Sequence, residues 1–254
     1  MPSIDTYCVL GGNGFIGRHL VQYLQECGHP CTSVARNQLN LEDADAVTNF
    51  FNNPKHAFDV VVHCAAVGGS RLRMDDESTF AKNVAMFTSV AAHAARWSRF
   101  VWLSSGAALH APTTPYGLSK AHCERLAVAI PNCRVWRVFG CYGDGEPEQR
   151  FMTSCKRQGW IHIEKDRLFD FIWVQDLCKL IVHCDLLDSH SVLDAVYETK
   201  VRLSYAAQHV CGLSKDNIFV EQKTTTSEND YVGHYSDDVG RLLGLSDRIA
   251  HSVL

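Results

Sequence analysis

The sequence predicts an α/β fold, a doubly wound parallel sheet with a small interleaved C-terminal lobe. Short apolar runs alternate with longer amphipathic ones: TYCVL, FIGRHLVQYLQECG, CTSVA, DADAVTNFFNN and FDVVVHCAA. This is the β-α-β-α-β rhythm of strands buried between two layers of helices. An alanine-rich helix is expected from Asp75 to Trp97, followed by the strand RFVWL, the helix YGLSKAHCERLAVA and the strand CRVWRVF. The strands are β-branched or aromatic and end in small or polar residues, and open sheets of this kind place ligands at the carboxyl ends of their strands. After Gly143 the rhythm breaks at GDGEPEQ. A short helix over Arg150–Arg157, strands at IHI and DFIW, a helix from Val174 to Leu187, a strand near Val196 and a helix over Ser204–Val210 follow, with KTTTSEND as a solvated loop. We expect residues 1–143 to form the first domain, with segments at about 170–200 returning to it, and residues 144–254 to form most of the smaller lobe.

Composition fits one ordinary globular core, since 46% of the 254 residues are apolar and 20% charged. The eleven cysteines are odd in number and spread through apolar segments, as at Cys8, Cys64, Cys178 and Cys184, which argues for a reducing compartment over a disulfide scaffold. Cys27 and Cys31 form a C-x3-C pair with no second pair or histidine cluster downstream, so both read as structural and no metal is expected. The N-terminal MPSIDTYCVL lacks a basic leader and a long apolar run, so the expected location is cytoplasmic, with no membrane partner. A net charge of -4 gives no reason to expect nucleic acid.

Glycines at Gly11, Gly14 and Gly17 stand between the first strand and the first helix. Glycine there permits a tight turn and close backbone approach, and the helix N-terminus offers N–H groups and partial positive charge to a pyrophosphate. A Rossmann-type dinucleotide domain is the expectation. At the end of the second strand a carboxylate would bind the ribose 2′-OH of NAD, whereas an arginine favours the 2′-phosphate of NADP. The residues here are Ala35 and Arg36, with no acid before Glu42, so NADP(H) is the expected cofactor. The cofactor set comprises Gly11, Asn13, Gly14, Phe15, Ile16, Gly17, Arg36, Asn40 and Leu41.

Tyr116 and Lys120 lie four residues apart at the start of a helix, hence on one face. An ammonium beside a phenol favours the phenolate, which suits the phenol to proton exchange with a carbonyl oxygen. Just upstream, RFVWL runs into Ser104-Ser105-Gly106, putting hydroxyls at the same edge of the sheet as the glycine loop. Ser105 is chosen to hydrogen-bond the substrate oxygen and Ser104 as its structural neighbour, so the catalytic set reads Ser105, Tyr116 and Lys120.

GGNGFIG, VVHCAA, the asparagine of FAKNVA, VWLSSGA and PYGLSKAHCERLA together resemble the extended short-chain dehydrogenase/reductases over roughly the first 180 residues. The resemblance implies that Cys64, Ala65 and Ala66 pass beside the cofactor, that Asn83 supports the site, and that Tyr116, Lys120 and Phe139 join the cofactor contacts. ARNQLNLED and CAAVGGS resemble in particular the GDP-fucose synthase-like reductases of nucleotide-linked 4-keto-6-deoxy sugars. That implies NADPH-dependent reduction of the 4-keto group of such a sugar. In the same family an arginine grips the sugar-nucleotide pyrophosphate; its slot holds Phe169 here, leaving Arg167, two residues earlier, and Lys156 as substrate-binding candidates. The family's epimerising cysteine and histidine correspond to Ala107 and the neighbourhood of Gln149, which favours plain reduction. Ser105 and Tyr116 are separated by a loop, HAPTTP, shorter than family members commonly have. Other readings stay open: an NDP-sugar 4-epimerase or dehydratase retaining NAD, a combined 3,5-epimerase/4-reductase, and a non-enzymatic NADP(H)-binding module. Val84, Phe87, Ala91, Ala94 and Ala95 form a stripe that either faces the core or, as the resemblance implies, belongs to a homodimer interface.

Overall fold

The computed structural model describes residues 4–70, 74–186, 192–223 and 230–244. Leu187 and most of the KTTTSEND run lie outside the described residues. The chain divides into two compact units, Met1–Arg137 with Ile181–Leu193, and Val138–Leu180 with Asp194–Leu254. The GDGEPEQ break therefore lies within the second unit.

The elements of the first unit follow the predicted rhythm. Strand β1 (Tyr7–Leu10) leads to helix α1 (Phe15–Glu26), β2 (Cys31–Val34), α2 (Ala44–Asn52), β3 (Val60–His63), α3 (Glu77–Ala91), β4 (Arg99–Ser105), the one-turn helix α4 (Ala107–His110), α5 (Pro115–Ala127) and β5 (Cys133–Val138). A six-stranded sheet runs in the order β10-β5-β4-β3-β1-β2, where β10 is Val192–Ala195. The pairs β1–β2, β1–β3 and β3–β4 are parallel, with Leu10 level with both Val34 and His63. Every residue of β1, β3 and β4 is buried, so helices cover both faces of the sheet, and this is why these strands read as unbroken apolar runs. On one face Cys8, Leu10, Val61, Phe100 and Trp102 pack with Phe87 and Val90 of α3 and Cys123 and Ala127 of α5.

Helix α3 starts where its cap dictates. The Asp76 carboxylate accepts from the Thr79 N–H at 3.1 Å, and the Thr79 hydroxyl returns the contact to the Asp76 N–H. It ends at Ala91, short of the predicted Trp97, and a 3-10 turn covers Ala94–Arg96. The chain turns there because Trp97 is drawn into the core against Phe51 and Phe100, with ring centroids at 4.8 and 5.7 Å. The predicted stripe on this segment faces inward at Phe87 and Ala94, and Val84 and Ala91 pack against the same core.

In the second unit, β6 (Gly140–Tyr142) pairs in parallel with β9 (Phe171–Trp173), and β7 (Ile161–Asp166) with β12 (Ile218–Lys223). Helix α6 (Phe151–Gln158) stops at Gly159, whose φ of +71° is the left-handed cap that glycine provides. The predicted helix over Ser204–Val210 divides into a turn at Leu203–Tyr205 and a π-turn at Ala206–Val210. Short β6, β12 and the helix α9 (Asp237–Leu243) had no periodic signal in the sequence. No helix among the described residues is long and apolar enough to cross a membrane.

Candidate active site

Strand β1 hands the chain to α1 through a turn that leaves no room for a Cβ at Gly11, Gly12 or Gly17. Gly11 sits at φ +82°, and a Cβ there would lie 2.8 Å from the Ala65 backbone nitrogen. A Cβ on Gly17 would collide with the Gly11 carbonyl, and one on Gly12 with the Ser33 hydroxyl. Gly14 is the N-cap of α1, offers no capping side chain, and no acidic residue follows in the first turn. The N–H groups of Phe15, Ile16 and Gly17 therefore lack an intrahelical acceptor and present partial positive charge.

This turn forms one wall of a groove of about 390 Å³ within the first unit. The groove brings together Gly11, Asn13, Gly14, Arg36, Asn40, Leu41, Cys64, Ala65 and Ala66 from the sequence-predicted set. Val34, Ala35, Leu39, Val67 and Met86 also line it, and sequence reasoning missed them because each looked like an ordinary core or strand-end residue. The glycine cradle, the uncapped helix end and the apolar wall of Val34 and Leu39 fit a dinucleotide, whose pyrophosphate Gly14–Gly17 would hold. Arg36 stands at the rim, 72% exposed, with its Nη2 donating to Glu42 Oε1 at 2.9 Å.

Buried contacts between α5 and β4 position the catalytic candidates. Lys120 is 3% exposed, and its Nζ donates to the Leu103 carbonyl at 2.8 Å. The ammonium lies 4.8 Å from the Trp102 ring centroid and 5.6 Å from that of Tyr116. One turn further along the same face, Glu124 accepts from the Ser104 hydroxyl at 2.5 Å and takes a bidentate pair from Arg137, Nε at 2.9 Å and Nη2 at 2.8 Å. Ser104 is thus committed to the helix, while among the described residues the Ser105 oxygen accepts only a 3.2 Å contact from the Ala107 N–H. Gly117 lets α4 close on α5, since a Cβ there would meet the Ala107 carbonyl at 2.7 Å. The short HAPTTP loop is therefore accommodated by backbone packing on both sides of Ser105 and Tyr116.

Asn83 braces this assembly. Its Nδ2 donates to the Val67 carbonyl at 2.8 Å and to Ser119 Oγ at 3.1 Å, while its Oδ1 accepts from the Val67 N–H at 2.9 Å. Ser119 in turn donates to the Tyr116 carbonyl at 2.6 Å. The same loop continues to Gly69, at φ +69°, where a Cβ would lie 2.8 Å from Tyr116 Cε1, so the backbone of the VGGS segment packs directly on the phenol ring.

His63, which the sequence reading passed over, sits 1% exposed at the end of β3. Burial, with the Lys120 charge next in weight, pushes its imidazole down to about 3. It is a neutral, buried polar group within the field of the lysine.

The remaining candidates belong to the second unit. Phe139 is buried with its ring edge-on to Tyr231 at 5.5 Å. The Arg167 guanidinium lies 5.8 and 5.7 Å from the stacked rings of Phe169 and Tyr231. Lys156 is exposed on α6, and so is Gln149 before it.

A family model described as "NAD dependent epimerase/dehydratase family" matches residues 7–185. No curated protein matches the chain. Among solved structures, it is similar to a GDP-6-OMe-4-keto-L-xylo-heptose reductase from C. jejuni, with 15% identity over 96% of this chain and 93% of that one at a TM-score of 0.78. A dTDP-4-dehydrorhamnose reductase from Bacillus anthracis, in complex with NADP, gives 17% identity, 95% and 94% coverage and a TM-score of 0.77. A UDP-glucose 4-epimerase from Thermotoga maritima gives 18%, 94% and 92%, and 0.75. At such identities the likeness establishes the fold.

The buried histidine makes a stability prediction. Its folded value lies far below the 6.5 of an unfolded chain, so the unfolded state binds the extra proton between about pH 3 and 6.5. The native state keeps the full benefit of a neutral His63 above pH 6.5 and loses it as pH falls, by up to about 1.4 kcal/mol per pH unit. Urea unfolding of wild type and His63→Leu between pH 7.5 and 4.5 should show a steeper decline for the wild type. Parallel pH dependences would show that His63 is accessible to protons.

Proposed function

The chain belongs to the NAD-dependent epimerase/dehydratase family, and from that membership we propose that it is an NADP(H)-dependent oxidoreductase that reduces the 4-keto group of a nucleotide diphosphate-linked 4-keto-6-deoxy sugar, GDP-linked by preference. The observation that carries this reading is the buried ammonium of Lys120, held on the Leu103 carbonyl with its charge against the Tyr116 ring, in the unit that bears the dinucleotide groove. The hydroxyl of Tyr116 gives its proton to the carbonyl oxygen of the substrate. The Ser105 hydroxyl donates to the same oxygen and orients it. Bound NADPH supplies the hydride. Gly11, Asn13 and Gly14 to Gly17 hold its pyrophosphate, Cys64 to Ala66 and Asn83 support the cofactor side of the site, and Phe139 is kept from the sequence reading as a further contact.

Reduction is favoured over epimerisation by Arg36 at the groove's rim, where an NAD enzyme presents a carboxylate. Ala107 and Gln149 at the positions of the family's epimerising pair support the same choice. The runner-up, an NDP-sugar 4-epimerase or dehydratase retaining NAD, draws support from the epimerases among the structures of similar fold. Arg167 and Lys156 are proposed to hold the substrate's phosphates. A homodimer is proposed through the outer face of α5, where Leu118 and Leu126 are exposed. A cytoplasmic setting accompanies these proposals.

Incubation with NADPH and a panel of GDP-, UDP- and dTDP-4-keto-6-deoxy sugars in deuterated water tests the reading. Stoichiometric NADPH oxidation without deuterium at C3 or C5 is expected; purification with tightly held NAD and no net consumption of NADPH would establish the epimerase. Tyr116→Phe should bind NADPH as the wild type does and lose roughly 10²- to 10⁴-fold in kcat. A rate near wild type would remove Tyr116 from the reaction. Arg36→Ala should weaken NADPH by about tenfold and leave NADH nearly unchanged, the exposed site holding the effect to roughly 1.4 kcal/mol. Glu42→Gln, which frees Arg36 from its carboxylate, should tighten NADPH about two- to threefold. Equal changes for both cofactors in fluorescence titrations would refute the arginine's role.

A further inference from the structure

One cation of the second unit stands without a counter-ion. Arg167, half-buried between β7 and the two-residue strand Leu168–Phe169, makes no ion pair and no side-chain hydrogen bond among the described residues. Its guanidinium carbon lies instead over two aromatic rings, 5.8 Å from the Phe169 centroid and 5.7 Å from that of Tyr231. These rings are stacked on one another, 4.9 Å apart and 18° from parallel. A guanidinium is weakly hydrated and gains from aromatic faces, so the two rings hold it without consuming its N–H donors.

Tyr231 reaches this place on a strap, Asp230–His234, laid along one edge of Leu168–Phe169, whose other edge pairs antiparallel with Val201–Arg202. The Asp230 carboxylate accepts from the Leu168 N–H at 2.9 Å, the Tyr231 N–H donates to the Leu168 carbonyl at 2.9 Å, and the Asp170 N–H donates to the Tyr231 carbonyl at 3.1 Å. Beyond the ring, the Gly233 N–H donates to the Asp170 carboxylate at 2.7 Å and the His234 N–H to that of Asp194 at 2.7 Å. Asp170 is itself buried and paired with Lys200 Nζ at 2.9 Å. A Cβ on Gly233 would lie 2.7 Å from the Phe139 ring, so the glycine lets the strap close. The backbone on both sides of Tyr231 is therefore pinned, and the ring has one place to go.

We propose that Tyr231 is a positioning residue for an anion subsite: clamped on Phe169, it presents the Arg167 guanidinium to the diphosphate of the sugar nucleotide. For the identity of that ligand the proposal rests on the reductase reading. The planar fork of a guanidinium matches two phosphate oxygens, and a fork already oriented loses little freedom on binding. No carboxylate has to be displaced from it. The acids of the strap and its strand, Asp230 and Asp170, are committed to backbone N–H groups and to Lys200. Tyr231 itself touches no phosphate in this scheme and acts through Arg167.

The test reads Arg167 directly. In full-length protein carrying arginine labelled with the heavy nitrogen isotope, the Nε–H resonance of Arg167 is assigned by its loss in Arg167→Lys. It is then followed during titration with inorganic pyrophosphate, GDP, UDP and dTDP. Pyrophosphate should move that resonance, and Tyr231→Leu should weaken the binding read there about five- to tenfold. Tyr231→Phe, which keeps the ring, should stay within about twofold of wild type. Gly233→Ala, which displaces the strap without altering either ring, should weaken binding in the same direction, and it carries the test should Tyr231→Leu fold poorly. An Arg167 resonance that answers none of these anions would overturn the proposal, as would equal affinities in wild type and Tyr231→Leu. Hydride transfer plays no part in this readout. Pyrophosphate bound through Tyr231 in a protein that never oxidises NADPH on keto sugars would sink the reductase reading alone, and turnover with a silent Arg167 would sink this proposal alone.

Discussion

A lysine ammonium withdrawn from water costs free energy unless its donors are met. Lys120 meets this demand with the Leu103 carbonyl and the faces of two aromatic rings. Because Leu103 precedes the serine pair of β4 and Lys120 follows Tyr116 by one helical turn, the bond fixes the register of α5 on the sheet edge. Glu124, another turn along, repeats the fastening through Ser104, and Arg137 neutralises it. Ser105 and Tyr116 take their places from these two contacts. Neither lies on a long flexible loop, which suits a site whose groups must be held to a fraction of an ångström.

The groove depends on the same framework. Asn83 joins the loop after β3, which lines the groove through Val67, to Ser119 in the helix that carries Tyr116. A cofactor ordered against Cys64, Ala65 and Val67 would therefore be felt at the tyrosine through a single asparagine. His63 marks the cost of the arrangement: a buried imidazole is kept neutral by burial and by the Lys120 charge.

Much of this was legible in the sequence because it is local. Glycines between an apolar strand and an amphipathic helix specify a turn, and a four-residue spacing specifies a shared helix face. The continuous apolar runs of β1 and β3 gave the sheet. Contacts between distant segments left no trace of that kind. Val67 and Gly69 looked like loop residues, yet one is clamped by Asn83 and the other packs on Tyr116. Nothing local distinguished Ser104 from Ser105; the difference lies in Glu124, twenty residues from Ser104. Helix α3 stopped six residues short of the predicted end because Trp97 is claimed by the core, a tertiary preference that overrides alanine's helical propensity. The lobe's short strands, two or three residues each at β8 (Leu168–Phe169) and β9, carry too few positions for a period to show.

The central proposal is that the groove and the Lys120–Tyr116 pair, which lie in one unit, serve hydride delivery to a sugar carbonyl. NADPH bearing deuterium at the transferable C4 position of its nicotinamide, mixed with the 4-keto-6-deoxy sugar nucleotides proposed as substrates, tests it by the fate of the label. The account predicts one deuterium at C4 of the product sugar for each NADP⁺ formed. An unlabelled product, or a sugar isomerised while the cofactor keeps its deuterium, would contradict it.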